Sequence, residues 1–257
     1  MYLDKILAKH RQLAEADKRD LEALTNKATN TPAPRGFAAR LREDSSKNLA
    51  VIAEIKRRSP SRGSLNSDLD PALVAQSYEQ GGASCLSVLT DSEFFGGSVS
   101  DLQQARSSVN LPVLRKDFTV SRRDVCDARI MGADCVLLIA AALSKSELAE
   151  FFKFAVELGL DVLVEVHDEA ELSVAIENDA TLIGVNQRDL HTFEVDHQRA
   201  VRMAQMMPTN VIRVAESGVK TRDDACSLRD AGYDAVLVGE SLVTSDDILN
   251  SVRELRV

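Results

Sequence analysis

Eight apolar runs of strand length recur along this chain, at 51–56, 85–90, 112–118, 135–141, 161–166, 182–186, 211–216 and 235–239, and segments of helical period separate them. After the fourth run, Leu148, Phe152, Ala155 and Leu158 fall on one helical face behind a capping box formed by Ser144 and Glu147. Several of the intervening helices are predicted to end alike, on Gly82, Gly132, Gly159 and Gly232, each suited to a left-handed C-cap and followed at once by the next strand. One unit is used again and again. Strand–helix units spaced at roughly twenty to thirty-five residues fit an α/β fold of the (β/α)8 TIM-barrel type better than a doubly wound open sheet. The open sheet is the alternative, but no G-x-G-x-x-G follows the first run, which removes its main dinucleotide signal.

No composition shift or linker divides the 257 residues, so a single barrel domain over 1–257 is expected, with 1–50 as an N-terminal helical extension. In that polar extension Leu3, Ile6, Leu7, Leu13, Leu21 and Leu24 are the candidate contacts to the barrel. With 44% apolar and 28% charged residues the composition is that of a globular domain. The formal net charge of −9 speaks against a general nucleic-acid surface. Charges within Tyr2-Leu3-Asp4-Lys5-Ile6 interrupt what a signal peptide needs as its apolar core, and no run approaches transmembrane length. Cytoplasmic residence is expected, with no membrane or nucleic-acid partner. Cys85, Cys126, Cys135 and Cys226 lack ligand spacing and are read as free buried thiols, with no disulfide and no metal site.

A barrel of this kind carries its chemistry at the C-terminal ends of its strands. The sequence concentrates polar residues there. The first run ends Glu54-Ile55-Lys56, and because strand side chains alternate faces, this acid and base share one face. The third run contains Arg115-Lys116-Asp117, the fifth ends Glu165-Val166-His167, the sixth Asn186-Gln187-Arg188, the seventh Glu216-Ser217-Gly218 and the eighth Gly239-Glu240. Any one of these reads as a structural ion pair. Together they exceed what packing at a barrel mouth requires, and neither sign of charge is cheap to bury without a partner. Gly218 and Gly239, after the seventh and eighth runs, stand where such barrels hold phosphate by backbone N–H groups, although either alone reads as a βα turn.

Five stretches then carry a resemblance. Glu-Ile-Lys-Arg-Arg-Ser-Pro-Ser at 54–61, Leu-Thr-Asp at 89–91 with Phe-Phe-Gly-Gly-Ser at 94–98, Leu-Arg-Lys-Asp-Phe at 114–118, Gly-Val-Asn-Gln-Arg-Asp-Leu at 184–190 and Ala-Glu-Ser-Gly-Val at 215–219 resemble the indole-3-glycerol phosphate synthase family. The motifs occur in the family's order, and the match runs from about residue 51 to 243. The resemblance implies a carboxy-lyase of tryptophan biosynthesis. Such an enzyme closes the pyrrole ring of 1-(2-carboxyphenylamino)-1-deoxy-D-ribulose 5-phosphate with loss of carbon dioxide and water.

Residue roles follow from the same resemblance. Lys116 is the candidate general acid at the ketone, and Glu165 and Lys56 serve the later proton transfers, with the division between the lysines open. Glu54 tunes the lysines by charge, Asn186 hydrogen-bonds sugar hydroxyls, and Glu216 and Ser217 complete the polar floor. Gly218, Gly239 and Ser59, with Lys56 near them, are expected at the phosphate, Arg188 at an acidic end of the substrate, and Phe95, Phe118, Leu137 and Leu190 around the aromatic ring. No cofactor is expected. The only partner expected is a small phosphorylated substrate, and the chain is expected to act as a monomer.

Other features carry the plainer reading. His10, His167, His191 and His197 show no ligand spacing, and Arg57 and Arg58 are steering charges or solvated ones. Glu240 beside the phosphate position would repel an anion unless its side chain points away. A Schiff-base aldolase, a phosphosugar isomerase and a non-catalytic phosphometabolite-binding barrel are the competing classes.

Overall fold

The computed structural model describes residues 2–60, 62–189 and 192–257. Eight parallel strands close into a barrel: β1 (Ala50–Ile55), β2 (Cys85–Leu89), β3 (Val113–Lys116), β4 (Cys135–Ile139), β5 (Asp161–Val166), β6 (Leu182–Asn186), β7 (Ile212–Glu216) and β8 (Ala235–Val238). Neighbours in the barrel are neighbours in sequence. The ring closes where β8 pairs with β1, Ala235 opposite Ala50 and Val238 opposite Ala53, so no strand of the barrel is left with an open edge. This closure excludes the open sheet.

Strand alternation divides the core in two. Ile52, Cys85, Leu114, Leu137, Leu163, Leu182, Val214 and Leu237 point inward and fill the barrel. Val51, Ala53, Leu86, Val88, Val136, Val164, Val185 and Val236 point outward under the helices. Continuing the inward series by two residues on each of four strands gives Glu54, Lys116, Glu165 and Glu216. The same periodicity that packs the barrel therefore delivers charge to its mouth.

The intervening helices follow the expected pattern. Helix α7 (Lys145–Glu157) begins with the capping box of Ser144 and Glu147, worth about 1 kcal/mol. Gly82, Gly132, Gly159 and Gly232 all take positive φ at helix ends. All four cysteines are free, with Cys226 only half-buried rather than buried as expected. None of the described helices is long and apolar enough to cross a membrane.

The extension before β1 forms three helices with separate tasks. Helix α3 (Phe37–Ser45) seats Phe37 and Leu41, both fully buried, against Ala50, Cys85, Cys135 and Ala235, and so plugs the N-terminal end of the barrel. Its first turn is tied down by Asp161 on β5, which accepts the N–H of Ala38 at 2.9 Å. Helix α2 (Leu21–Thr29) packs against α6 (Arg122–Met131), with Leu21 and Leu24 on the outer core. Helix α1 (Tyr2–Ala16) lies at the opposite end from α3. Leu3 and Ile6 reach the mouth, His10 meets Asp91 at 3.1 Å, and Arg11 donates to Glu147 at 2.8 Å and to the carbonyl of Ala142 at 2.9 Å. Leu13 departs from expectation, standing 54% exposed on the far face of α1.

Candidate active site

A cavity of about 340 Å³ opens at the C-terminal end of the barrel. Its floor is the charged layer that follows Ile52, Leu114, Leu163 and Val214. Lys116, at the end of β3, places Nζ 2.6 Å from Oε2 of Glu165 on β5 and 2.9 Å from Oε2 of Glu216 on β7. On β1, Lys56 Nζ lies 2.6 Å from Oε1 of Glu54, and the Ser87 hydroxyl donates to the other carboxylate oxygen at 3.5 Å. Asn186 on β6 donates its amide to Oε1 of Glu165 at 3.0 Å, while its own carbonyl accepts the N–H of Arg188. The Asn186 side chain is thus held by protein groups at both ends, and its amide keeps a second N–H.

Glycines make room for this layer. A Cβ at Gly184 would overlap Oε1 of Glu216, and one at Gly239 would overlap Oε1 of Glu54. Gly239 thereby lets the β1 carboxylate turn inward.

Charge is unevenly shared in the layer. Burial by itself would lower Lys116, but Glu165, Glu216 and Glu54 override it and hold the ammonium above its ordinary range. Burial would raise Glu165, yet Lys116 and then His167 keep it a carboxylate below the usual range. Glu216 goes the other way. Burial dominates there, Lys116 offsets it only in part, and Glu165 and Glu54 add repulsion, so its proton is held into a higher range than an ordinary carboxyl. Two glutamates on one lysine are pushed apart, one toward base and one toward acid.

The remaining residues expected at the site lie around this floor. Phe95 and Phe118 face each other at 6.3 Å and, with Leu137 and Leu3, form the apolar wall. Ser59, Ser217, Gly218 and Gly239 line the opposite rim, beside Lys56. Arg188 reaches the cavity but also donates to the carbonyl of Phe193 at 3.1 Å. Leu190 lies outside the described residues. Glu240 does not stand bare toward an anion. Arg62, from the loop after β1, holds its carboxylate at 3.1 Å.

Three connections were not visible in the sequence. His167 has a partner in the charged layer: its Nε2 lies 3.3 Å from Oε1 of Glu165. His10 likewise has a partner, Asp91, 81 residues further along the chain. Arg57 is neither steering nor solvated, because Asp101 at the start of α5 (Val99–Ser108) takes its guanidinium at 3.0 and 3.1 Å. The only signal for His167 was its place two residues after Glu165. The other two depend on which loops the closed barrel brings together.

Acid–base groups gathered at that end of that fold define a (β/α)8-barrel enzyme. Comparison with known proteins narrows the class. The family model described as Indole-3-glycerol phosphate synthase matches residues 3–255, and the chain belongs to that family. Proteins of that name from Chlorobium phaeovibrioides (strain DSM 265 / 1930) and Chloroherpeton thalassium (strain ATCC 35110 / GB-78) are each 48% identical to it. The first aligns over 96% of both chains and the second over 95% of both. Among solved structures, a thiamine phosphate pyrophosphorylase from Pyrococcus furiosus matches with a TM-score of 0.59 at 15% identity, over 82% of this chain and 95% of that one, which is a likeness of fold alone.

Proposed function

We propose that this chain acts as a carboxy-lyase in tryptophan biosynthesis, closing the ring of 1-(2-carboxyphenylamino)-1-deoxy-D-ribulose 5-phosphate with loss of carbon dioxide and water. The observation that carries the proposal is Lys116 held between Glu165 and Glu216 on the cavity floor. An ammonium has three donors, and two of the three are spoken for. The third serves the substrate's ketone oxygen, which takes a proton as the ring carbon attacks. Loss of carbon dioxide then restores the aromatic ring. The hydroxyl left at the former ketone departs as water with a proton from one of the two lysines, and Glu165, kept ionised, takes the proton from the neighbouring carbon.

Binding follows the polarity of the cavity. The anthranilate ring lies against Phe95, Phe118 and Leu137, and the phosphate lies at the rim of Ser59, Gly218 and Gly239, with Lys56 and Arg62 as counter-charges. The raised Lys116 counts against a Schiff-base aldolase, whose chemistry needs a free amine.

Purified protein mixed with the ribulotide substrate should develop indole fluorescence and release one carbon dioxide for each indole formed. Substrate that binds while both signals stay flat would contradict the proposal.

A further inference from the structure

His167 does not line the cavity, yet its ring joins the site to the outside of the barrel. Nε2 lies 3.3 Å from Oε1 of Glu165, and Nδ1 lies 3.1 Å from Oε2 of Glu171 on α8 (Glu169–Glu177). Glu171 is itself fixed. Its Oε2 also accepts the backbone N–H of His167 at 2.7 Å, and its own N–H is capped by Asp168 at 2.8 Å. Nδ1 is at hydrogen-bond distance from Glu171 and Nε2 at ion-pair distance from Glu165 without a hydrogen bond of its own, so two carboxylates flank the ring and favour its doubly protonated cation.

The environment of Glu165 points the same way. Glu165 is the ionised carboxylate of the floor, and Lys116 meets it from one side only, at Oε2. His167 approaches the other oxygen, Oε1, from behind.

We propose that His167 is a positioning residue: an imidazolium, clamped by Glu171, that with Asn186 holds Oε1 of Glu165 so that Oε2 stays ionised and turned to Lys116. The inference rests on Glu165 as the acid–base group proposed above. Among the described residues, Glu165 and Glu171 are the charged groups at ion-pair distance from the ring. The turn Ala140–Ala142 packs against β5 and α8 and carries none, β6 offers the neutral Asn186, and Lys116 of β3 lies beyond Glu165. Burial opposes the imidazolium, but Glu165 and Glu171 together raise its pKa to about 9.

The test is the pH profile of turnover in His167→Asn, Glu171→Gln and Glu165→Gln. His167→Asn should lose about tenfold in kcat with KM within about twofold, and its acidic limb should rise by roughly one pH unit as Glu165 becomes harder to ionise. Glu171→Gln should keep near-normal turnover at pH 6 while its alkaline limb falls by about one unit. A merely structural role would lower the melting temperature and leave both limbs in place, and that result overturns the inference. If His167→Asn does not fold, the alkaline limb of Glu171→Gln decides alone. Glu165→Gln separates the two levels. Inactive Glu165→Gln beside unmoved limbs in the other two variants sinks the role of His167 only, whereas fully active Glu165→Gln sinks the reading of the site.

Discussion

Gly184 pairs with Val214, two residues before Glu216 on the adjacent strand, and the Oε1 atom of Glu216 occupies the space where a side chain at position 184 would begin. The Glu216 carboxylate can approach Lys116 only because β6 carries no Cβ there.

Gly184→Ala therefore tests the geometry of the floor without removing any of its charges. The added methyl must push Glu216 off its place, and displacements of about 1 Å in a catalytic constellation can cost on the order of 10²-fold in rate. We expect kcat to fall by at least tenfold, with little change in KM for the phosphorylated substrate. Steady-state kinetics with normal turnover would show that the placement of Glu216 is not needed.

Stability should depend on pH through His167. Its folded pKa, about 9, lies above the ordinary value of 6.5, so its contribution is complete below about pH 6.5 and is lost as the pH rises through 9. Melting temperature is expected to fall by a few degrees across that window in the wild type. Glu171→Gln removes one of the two carboxylates that raise the pKa and should flatten the fall. Parallel melting curves for the two proteins would count against this pairing.

Arg62 and Glu240 face each other across the seam where β8 meets β1. Removing the arginine leaves an acid bare at the proposed phosphate rim. Arg62→Ala is expected to raise KM by roughly tenfold with kcat nearly unchanged, in line with loss of a charge-assisted contact. Adding Glu240→Gln should recover part of that loss. A double variant no better than the single one would place the phosphate elsewhere.

Much of this was legible from the chain. Alternation put Glu54 and Lys56 on one face, and the repeated strand, helix and glycine pattern specified the closed barrel. Both are local periodicities. The links that escaped are those made by tertiary placement. His10 meets Asp91 only because α1 lies across the mouth, and Arg62 meets Glu240 only because the ring closes. Nothing in the period of the extension distinguished the helix that plugs the barrel from the one that borders the cavity. The hold of Asn186 on Glu165 escaped for the same reason, since that partner lies on the preceding strand. Gly184 read as part of a motif, and its steric task appeared only once β6 and β7 were seen in register.

Lys116 bears the central claim, and a single-turnover experiment on Lys116→Met reaches it most directly. The substitution keeps the aliphatic stem and removes the proton donor from between Glu165 and Glu216. General acid catalysis is worth about 10²–10⁴-fold, so the rate of indole formation with enzyme in excess should fall by that factor. Protection by inorganic phosphate should persist, since the proposed phosphate rim is untouched. Ring closure at the wild-type rate in that variant would contradict the account.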